Sequence, residues 1–189
     1  MGTRCFVALP LPEEYQQALP KIAAEWKPRL RSKVSWTKEG NWHLTLKFLG
    51  ELEPGILDQV HKALRRVTVH QFEVQASGGG FFPPGRNPKV VWVGLSRGAD
   101  ACTRLAADID QALQPLGIPS DTRPFRPHLT VARIKRSGPD DWSQLLSGLH
   151  AWTWPSFWAQ RFVLYASRLT PQGPVYTELE SCPLGETQS

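Results

Sequence analysis

The chain repeats itself. Residues 4–76 and residues 89–166 correspond at an offset of 85 positions: Phe6 falls on Val91, His43 on His128, Pro54 on Pro139, the apolar stripe Leu57/Val60/Leu64 on Trp142/Leu145/Leu149, and Phe72 on Phe157. A duplication constrains the fold more than any single motif, because both halves must be read as the same succession of elements. The first half reads β-α-β-α-β: a strand at residues 4–9, a helix with Tyr15, Leu19, Ile22 and Trp26 at helical spacing and disturbed by Pro20, an alternating strand at residues 43–49, a helix opened by Pro54, and a strand from Phe72. The second half repeats it, with strands at residues 89–95, 128–134 and 157–166 and helices carrying Cys102/Leu105/Ile109 and Trp142/Leu145/Leu149. Residues 77–88 (SGGGFFPPGRNP) concentrate Gly and Pro and are expected to connect the halves. A last hairpin, through residues 163–169 and 175–179, has no counterpart in the first half.

The 189 residues are enough for one domain of two small lobes, and a composition of 41% hydrophobic and 21% charged residues excludes disordered, collagenous and coiled-coil chains. With 22 basic and 17 acidic residues the net charge of +5 favours an anionic partner such as RNA or a phosphorylated metabolite. Cys5, Cys102 and Cys182 are odd in number and widely spaced, which fits neither a disulfide framework nor a zinc site, and they are expected to be reduced thiols. The start of the chain lacks a secretory pattern, and no stretch is apolar enough to span a membrane. A cytoplasmic protein, monomeric and without membrane contact, is the expectation.

The longest identity between the halves is a tripeptide, His43-Leu44-Thr45 and His128-Leu129-Thr130. Strand side chains alternate, so in each copy His and Thr share one face about 6.6 Å apart while the flanking aliphatics face the core. If the halves pack about an approximate two-fold axis, the two His-Thr pairs oppose each other across a cleft. Two imidazoles can serve as one base and one acid for phosphodiester chemistry, the first taking a proton from the attacking oxygen and the second giving one to the leaving oxygen. Two threonine hydroxyls can donate to the phosphoryl oxygens, and no metal or other cofactor is required.

The segments HLTLKFLGE (from His43) and PFRPHLTVAR (from Pro124) resemble the paired His-x-Thr-x motifs of the 2H phosphoesterase superfamily, and more narrowly of the bacterial and archaeal RNA 2',3'-cyclic phosphodiesterases once called 2'-5' RNA ligases. FVALPLP, FFPPGRNPKVVWVGL and LYASRLTPQGPVYTELE extend the resemblance over nearly the whole chain. It implies a bilobal α+β fold of duplicated β-α-β-α-β units with mainly antiparallel sheets around a central cleft. It further implies metal-independent opening of 2',3'-cyclic phosphate ends on RNA, tRNA fragments among them, to 2'-phosphates, together with reversible 2'-5' ligation. The histidine of the first motif, here His43, is assigned as proton donor and that of the second, His128, as acceptor.

Arg133 matches an arginine that follows the second motif in many relatives, and a guanidinium can fork onto a phosphate. Its alternation parity is opposite to that of His128, so it reaches the cleft only if the strand ends or bulges there. Lys47 has the same parity as His43 and is expected to be solvated. Phe81 and Phe82 are the foremost candidates for stacking a base, and Arg29, Arg31, Lys33, Arg86, Lys89, Arg123, Arg126, Lys135 and Arg136 for tracking phosphates. His61, His70 and His150 are expected on surfaces and turns. The rival readings are a non-catalytic RNA-binding module, a phosphodiesterase for a small cyclic nucleotide or 2'-5' oligonucleotide, and a metal hydrolase, the last disfavoured because no carboxylate lies at ligand spacing beside either histidine.

Overall fold

Both sheets of the molecule draw strands from both halves of the chain. The structure, a computed structural model, describes residues 2–85, 87–171 and 173–186. Its elements are β1 (Thr3–Pro10), α1 (Glu13–Trp26), β2 (Lys33–Trp36), β3 (His43–Leu52), α2 (Pro54–Leu64), β4 (Phe72–Phe82), β5 (Val90–Arg97), α3 (Ala99–Leu113), β6 (Leu129–Arg136), α4 (Trp142–Ala151), β7 (Ser156–Ala159), β8 (Arg161–Thr170) and β9 (Gly173–Pro183). One sheet has the order β3-β1-β8-β9 and the other β2-β6-β5-β4-β7, every pairing antiparallel. The antiparallel α+β architecture that the resemblance implies is therefore present. The last strand of each repeat crosses over: β4 pairs with β5, and β8 pairs with β1.

The hydrophobic pattern accounts for the layers. Leu44, Leu46, Leu129 and Val131 point into the core at 0 to 3% exposure, beneath the helices, as the alternation of the two motifs demands. Helices pair across the halves: Trp26 of α1 lies against Gly148 of α4, where a Cβ would stand 2.4 Å from the indole, and α2 packs on α3. Trp42 is buried at 2%, on the side of its strand opposite to His43, as adjacency requires.

Three expectations need correction. The glycine run does not end the strand: β4 continues through Gly78, Gly79 and Gly80 to Phe82, and only residues 83–89 connect the halves. Its glycines make room for a neighbour, since a Cβ on Gly80 would meet the Trp92 indole of β5 at 2.3 Å. The region 157–166 is two strands in two sheets, broken at Gln160, whose carbonyl accepts a hydrogen bond from Leu184 N at 2.8 Å. Strand β2 went unread because KVSW is short and lies between basic segments; it is held as an edge by pairing with β6.

Lys47 departs from expectation as well. It is 2% exposed, on the core side of β3, where its ammonium donates to the Asp110 carboxylate of α3 and to Pro119 O at 3.0 Å. Ser120 Oγ donates to the other Asp110 oxygen at 2.6 Å. An ammonium removed from water needs this full set of acceptors, so the pair ties a strand of the first half to a helix of the second. The two partners are not equivalent, because the Asp110 side chain keeps 30% exposure while that of Lys47 has 2%. Asp110→Ala, which strands the buried charge, should cost about 3 kcal/mol or more, and Lys47→Met, which leaves a solvated carboxylate, clearly less. Urea unfolding of both variants checks the order; equal losses would contradict it.

Candidate active site

The two histidines occupy equivalent places, His43 as the first residue of β3 and His128 directly before β6, and these two strands touch. Each ring is tethered in the same way. His43 Nδ1 lies 2.9 Å from Asn41 O, and His128 Nδ1 lies 2.7 Å from Arg126 O, in both cases the carbonyl two residues earlier. A carbonyl only accepts, so Nδ1 must carry the hydrogen, and the neutral ring presents a bare Nε2. Thr45 and Thr130 follow on the same faces, both half-buried. A site of this kind can take up and release protons at two nitrogens while offering two hydroxyl donors.

Arg133 joins them through a bulge. In the β5–β6 ladder Trp92 pairs with Thr130 but Val91 pairs with Ala132, so Val131 is an extra residue and the parity of everything after it is reversed. Arg133 consequently emerges on the face of Thr130, exposed, while Ile134 returns to the core. Its charge acts on both His43 and His128. The first half carries the same device: Ala8 pairs with Thr45 and Val7 with Lys47, leaving Leu46 unpaired. This bulge is what turns Lys47 inward against the simple alternation, and it brings Phe48, the counterpart of Arg133 at the 85-residue offset, out onto the cleft face with 60% exposure.

Aromatic rings floor both sides. Phe6, Tyr165 and Tyr176 surround His43 at centroid distances of 4.7, 6.2 and 5.3 Å, and Phe48 reaches Phe6 at 6.1 Å. His128 meets Phe82 at 5.0 Å and Trp92 at 6.5 Å, these two rings being stacked 5.1 Å apart. Of the two stacking candidates in the glycine-rich segment, Phe82 thus belongs to the site. Phe81 points to the helix side and packs edge-on against Trp142. Phe6, Phe48, Trp92, Tyr165 and Tyr176 were not singled out from sequence, since what unites them is strand pairing between the halves. Arg86 lies outside the described residues.

The remaining candidates lie elsewhere. His61 of α2 and Arg65, directly after that helix, both hold Glu180 of β9, with His61 Nδ1 at 2.8 Å, and His70 Nδ1 lies 2.8 Å from Glu186 O. His150 Nε2 lies 3.2 Å from Gly79 O. Cys5, Cys102 and Cys182 are buried and unpaired, and burial pushes their thiols up to about 11, 12 and 11. Among the described residues no group of three or more His, Cys, Asp or Glu stands close enough together to hold a metal ion, and no helix is long and apolar enough to cross a membrane.

Burial dominates the electrostatics of the two rings. It pulls His43 down to about 4; the Asn41 carbonyl opposes this and Arg133 adds to it. His128 is lowered by the same causes, burial first, with the Arg126 carbonyl opposing. Without a bound anion both rings are therefore neutral at pH 7. The linkage follows from the sign: above about pH 6.5 neither folded nor unfolded chain protonates this site, whereas between about 6.5 and 4 the unfolded chain takes the proton and the folded chain does not. Stability should fall across that window, by about 3 kcal/mol from His43 alone. Urea midpoints at pH 7, 5.5 and 4 should drop more steeply for the native chain than for His43→Gln; parallel curves would refute it.

Comparison with known proteins agrees with the duplicated architecture. The family model described as LigT like Phosphoesterase matches the chain twice, over residues 9–92 and 93–176. A protein of Archaeoglobus fulgidus named RNA 2',3'-cyclic phosphodiesterase is 32% identical over 176 residues, covering 93% of this chain and 97% of its own length. Among solved structures, TT0787 of Thermus thermophilus superimposes with a TM-score of 0.82 at 29% identity, covering 98% of this chain and all of that one. LigT of E. coli, crystallised with 3'-AMP, shares the fold with a TM-score of 0.78 at 24% identity, over 97% of this chain and 99% of its own.

Proposed function

The chain belongs to the LigT-like phosphoesterase family, and we propose that within it the protein hydrolyses the 2',3'-cyclic phosphodiester ends of RNA to 2'-phosphomonoesters without a metal ion. The observation that carries this reading is the symmetric pair of imidazoles, each with Nδ1 tethered to a carbonyl and Nε2 left bare. His128 takes a proton from the attacking water, the new P–O bond forms, the P–O3' bond breaks, and His43 gives its proton to the departing 3' oxygen. Thr45, Thr130 and Arg133 offset the charge on the phosphoryl oxygens in the transition state. The exposed Phe48 ring, beside Phe6, offers a face for the terminal base. A 5'-hydroxyl of a second RNA in place of water would use the same steps and yield a 2'-5' linkage. With the two imidazoles carrying both proton transfers, chelator should leave the rate unchanged, and a loss of rate would overturn the metal-free mechanism.

Since both rings are neutral in the free protein, the acid must acquire its proton as the anionic substrate binds, the phosphate and not the protein supplying the stabilising charge. Both limbs of the kcat/KM profile should therefore lie at lower pH than those of kcat. Coincident profiles would mean that the proton is already in place. The depth of His43, pulled down to about 4, favours a second reading with the roles exchanged, His43 as base and His128 as acid. Activated substrates separate the two: replacing the acid by Ala should cost little with a p-nitrophenyl phosphodiester, which needs no protonation on leaving, whereas replacing the base should still cost about a hundredfold. With RNA ends, His43→Ala and His128→Ala should each lower turnover by about 10² or more, Thr45→Ala and Thr130→Ala by less, and the double histidine variant should be little worse than either single one. Near-normal turnover in either single histidine variant would overturn the mechanism.

A further inference from the structure

His43 and His128 have the same tether, but the loops that supply the accepting carbonyls are held differently. Asn41 stands in the link between β2 and β3, and one side chain of α1 grips the residues on both sides of it. Gln16 Oε1 accepts from Gly40 N at 3.0 Å and from Trp42 N at 3.3 Å, while Gln16 Nε2 donates to Trp42 O at 2.7 Å. Asn41 itself donates from Nδ2 to Pro174 O at 2.9 Å, in the hairpin that has no counterpart in the first half. Gly40 sits at φ +80°, a left-handed turn conformation that glycine visits freely and does not hold by itself. On the other side, Arg126 lies in an irregular exposed segment, and among the described residues no side chain bridges its neighbours in this way. The position equivalent to Gln16 at the 85-residue offset is Ala101, which has no amide to offer.

We infer that Gln16 is a positioning residue for His43: by fixing the loop at Gly40 and Trp42 it holds the Asn41 carbonyl where it must accept Nδ1–H, and so keeps the bare Nε2 aimed into the cleft. An amide is the side chain that fits, because the loop presents two donors and one acceptor. A carboxylate at this place satisfies both N–H groups but faces Trp42 O without a hydrogen, and a hydrocarbon satisfies none of the three. The arrangement acts on one imidazole only, which makes the two otherwise equivalent histidines unequal in how firmly they are oriented.

The catalytic part of this inference rests on the two-histidine reading above, whereas the tautomer part stands without it, and the test separates them. Nitrogen-15 NMR of the imidazoles in the native chain should show His43 as the Nδ1–H tautomer. In Gln16→Leu the same ring should show a mixture of tautomers while His128 is unchanged, with Gln16→Glu in between. With a short RNA ending in a 2',3'-cyclic phosphate, Gln16→Leu should lower kcat about tenfold or more with KM within about twofold, and should have no further effect in a His43→Ala background. An unchanged His43 tautomer in a folded Gln16→Leu protein would overturn the positioning role, and so would an equal loss of kcat with and without His43. A native chain that turned over no cyclic ends yet showed the tautomer change would sink the proposed reaction and leave the positioning role standing. If Gln16→Leu does not fold, Gln16→Glu, which keeps both accepting bonds, carries the same comparisons.

Discussion

One extra residue in each of two strands decides what the cleft contains. Without the bulges at Leu46 and Val131, strict alternation would send Arg133 into the core and bring Lys47 out beside His43 and Thr45. With them, the buried side of β3 gains an ammonium that Asp110 must neutralise, and the open side of β6 gains a guanidinium. The bulges also separate the roles of the halves. Positions that correspond in the duplication, Phe48 and Arg133, place an apolar face on one wall and a cation on the other, so a duplicated backbone carries an asymmetric surface.

The aromatic floor has an electrostatic consequence. Rings packed around both imidazoles strip them of water, and the neighbouring Arg133 works in the same direction, so the charged forms are disfavoured until an anion arrives. Tethering Nδ1 to a carbonyl partly opposes this, because a carbonyl stabilises the imidazolium, and at the same time it fixes which nitrogen faces the cleft. Desolvation thus comes from rings on neighbouring strands, and orientation from the loop that leads into each motif strand.

The residues that pointed to the site are those whose information is local. His43, Thr45, His128 and Thr130 stand in a repeated tripeptide, and alternation alone puts each pair on one face. The duplication likewise made the succession of strands and helices readable, with helix α3 and the stripe of α4 where their apolar spacing set them. What escaped depends on partners distant in the chain. A bulge exists only relative to the neighbouring strand, so neither the inward turn of Lys47 nor the outward turn of Arg133 was decidable. The glycines of β4 looked like a linker because the Trp92 indole that needs the space belongs to another strand. Tyr165 and Tyr176 reach His43 only because β8 crosses into the first sheet, a step no periodicity encodes.

That crossing also limits how the molecule can move. Because β4 is hydrogen-bonded into the second sheet and β8 into the first, the two halves of the chain share two continuous ladders, and the Lys47–Asp110 pair adds a third tie between them. Pulling the two halves of the chain apart would require breaking strand pairing and not merely flexing a connector. The two histidine walls are therefore joint constructions: each sheet takes strands from both halves, so neither half of the chain could raise either wall alone.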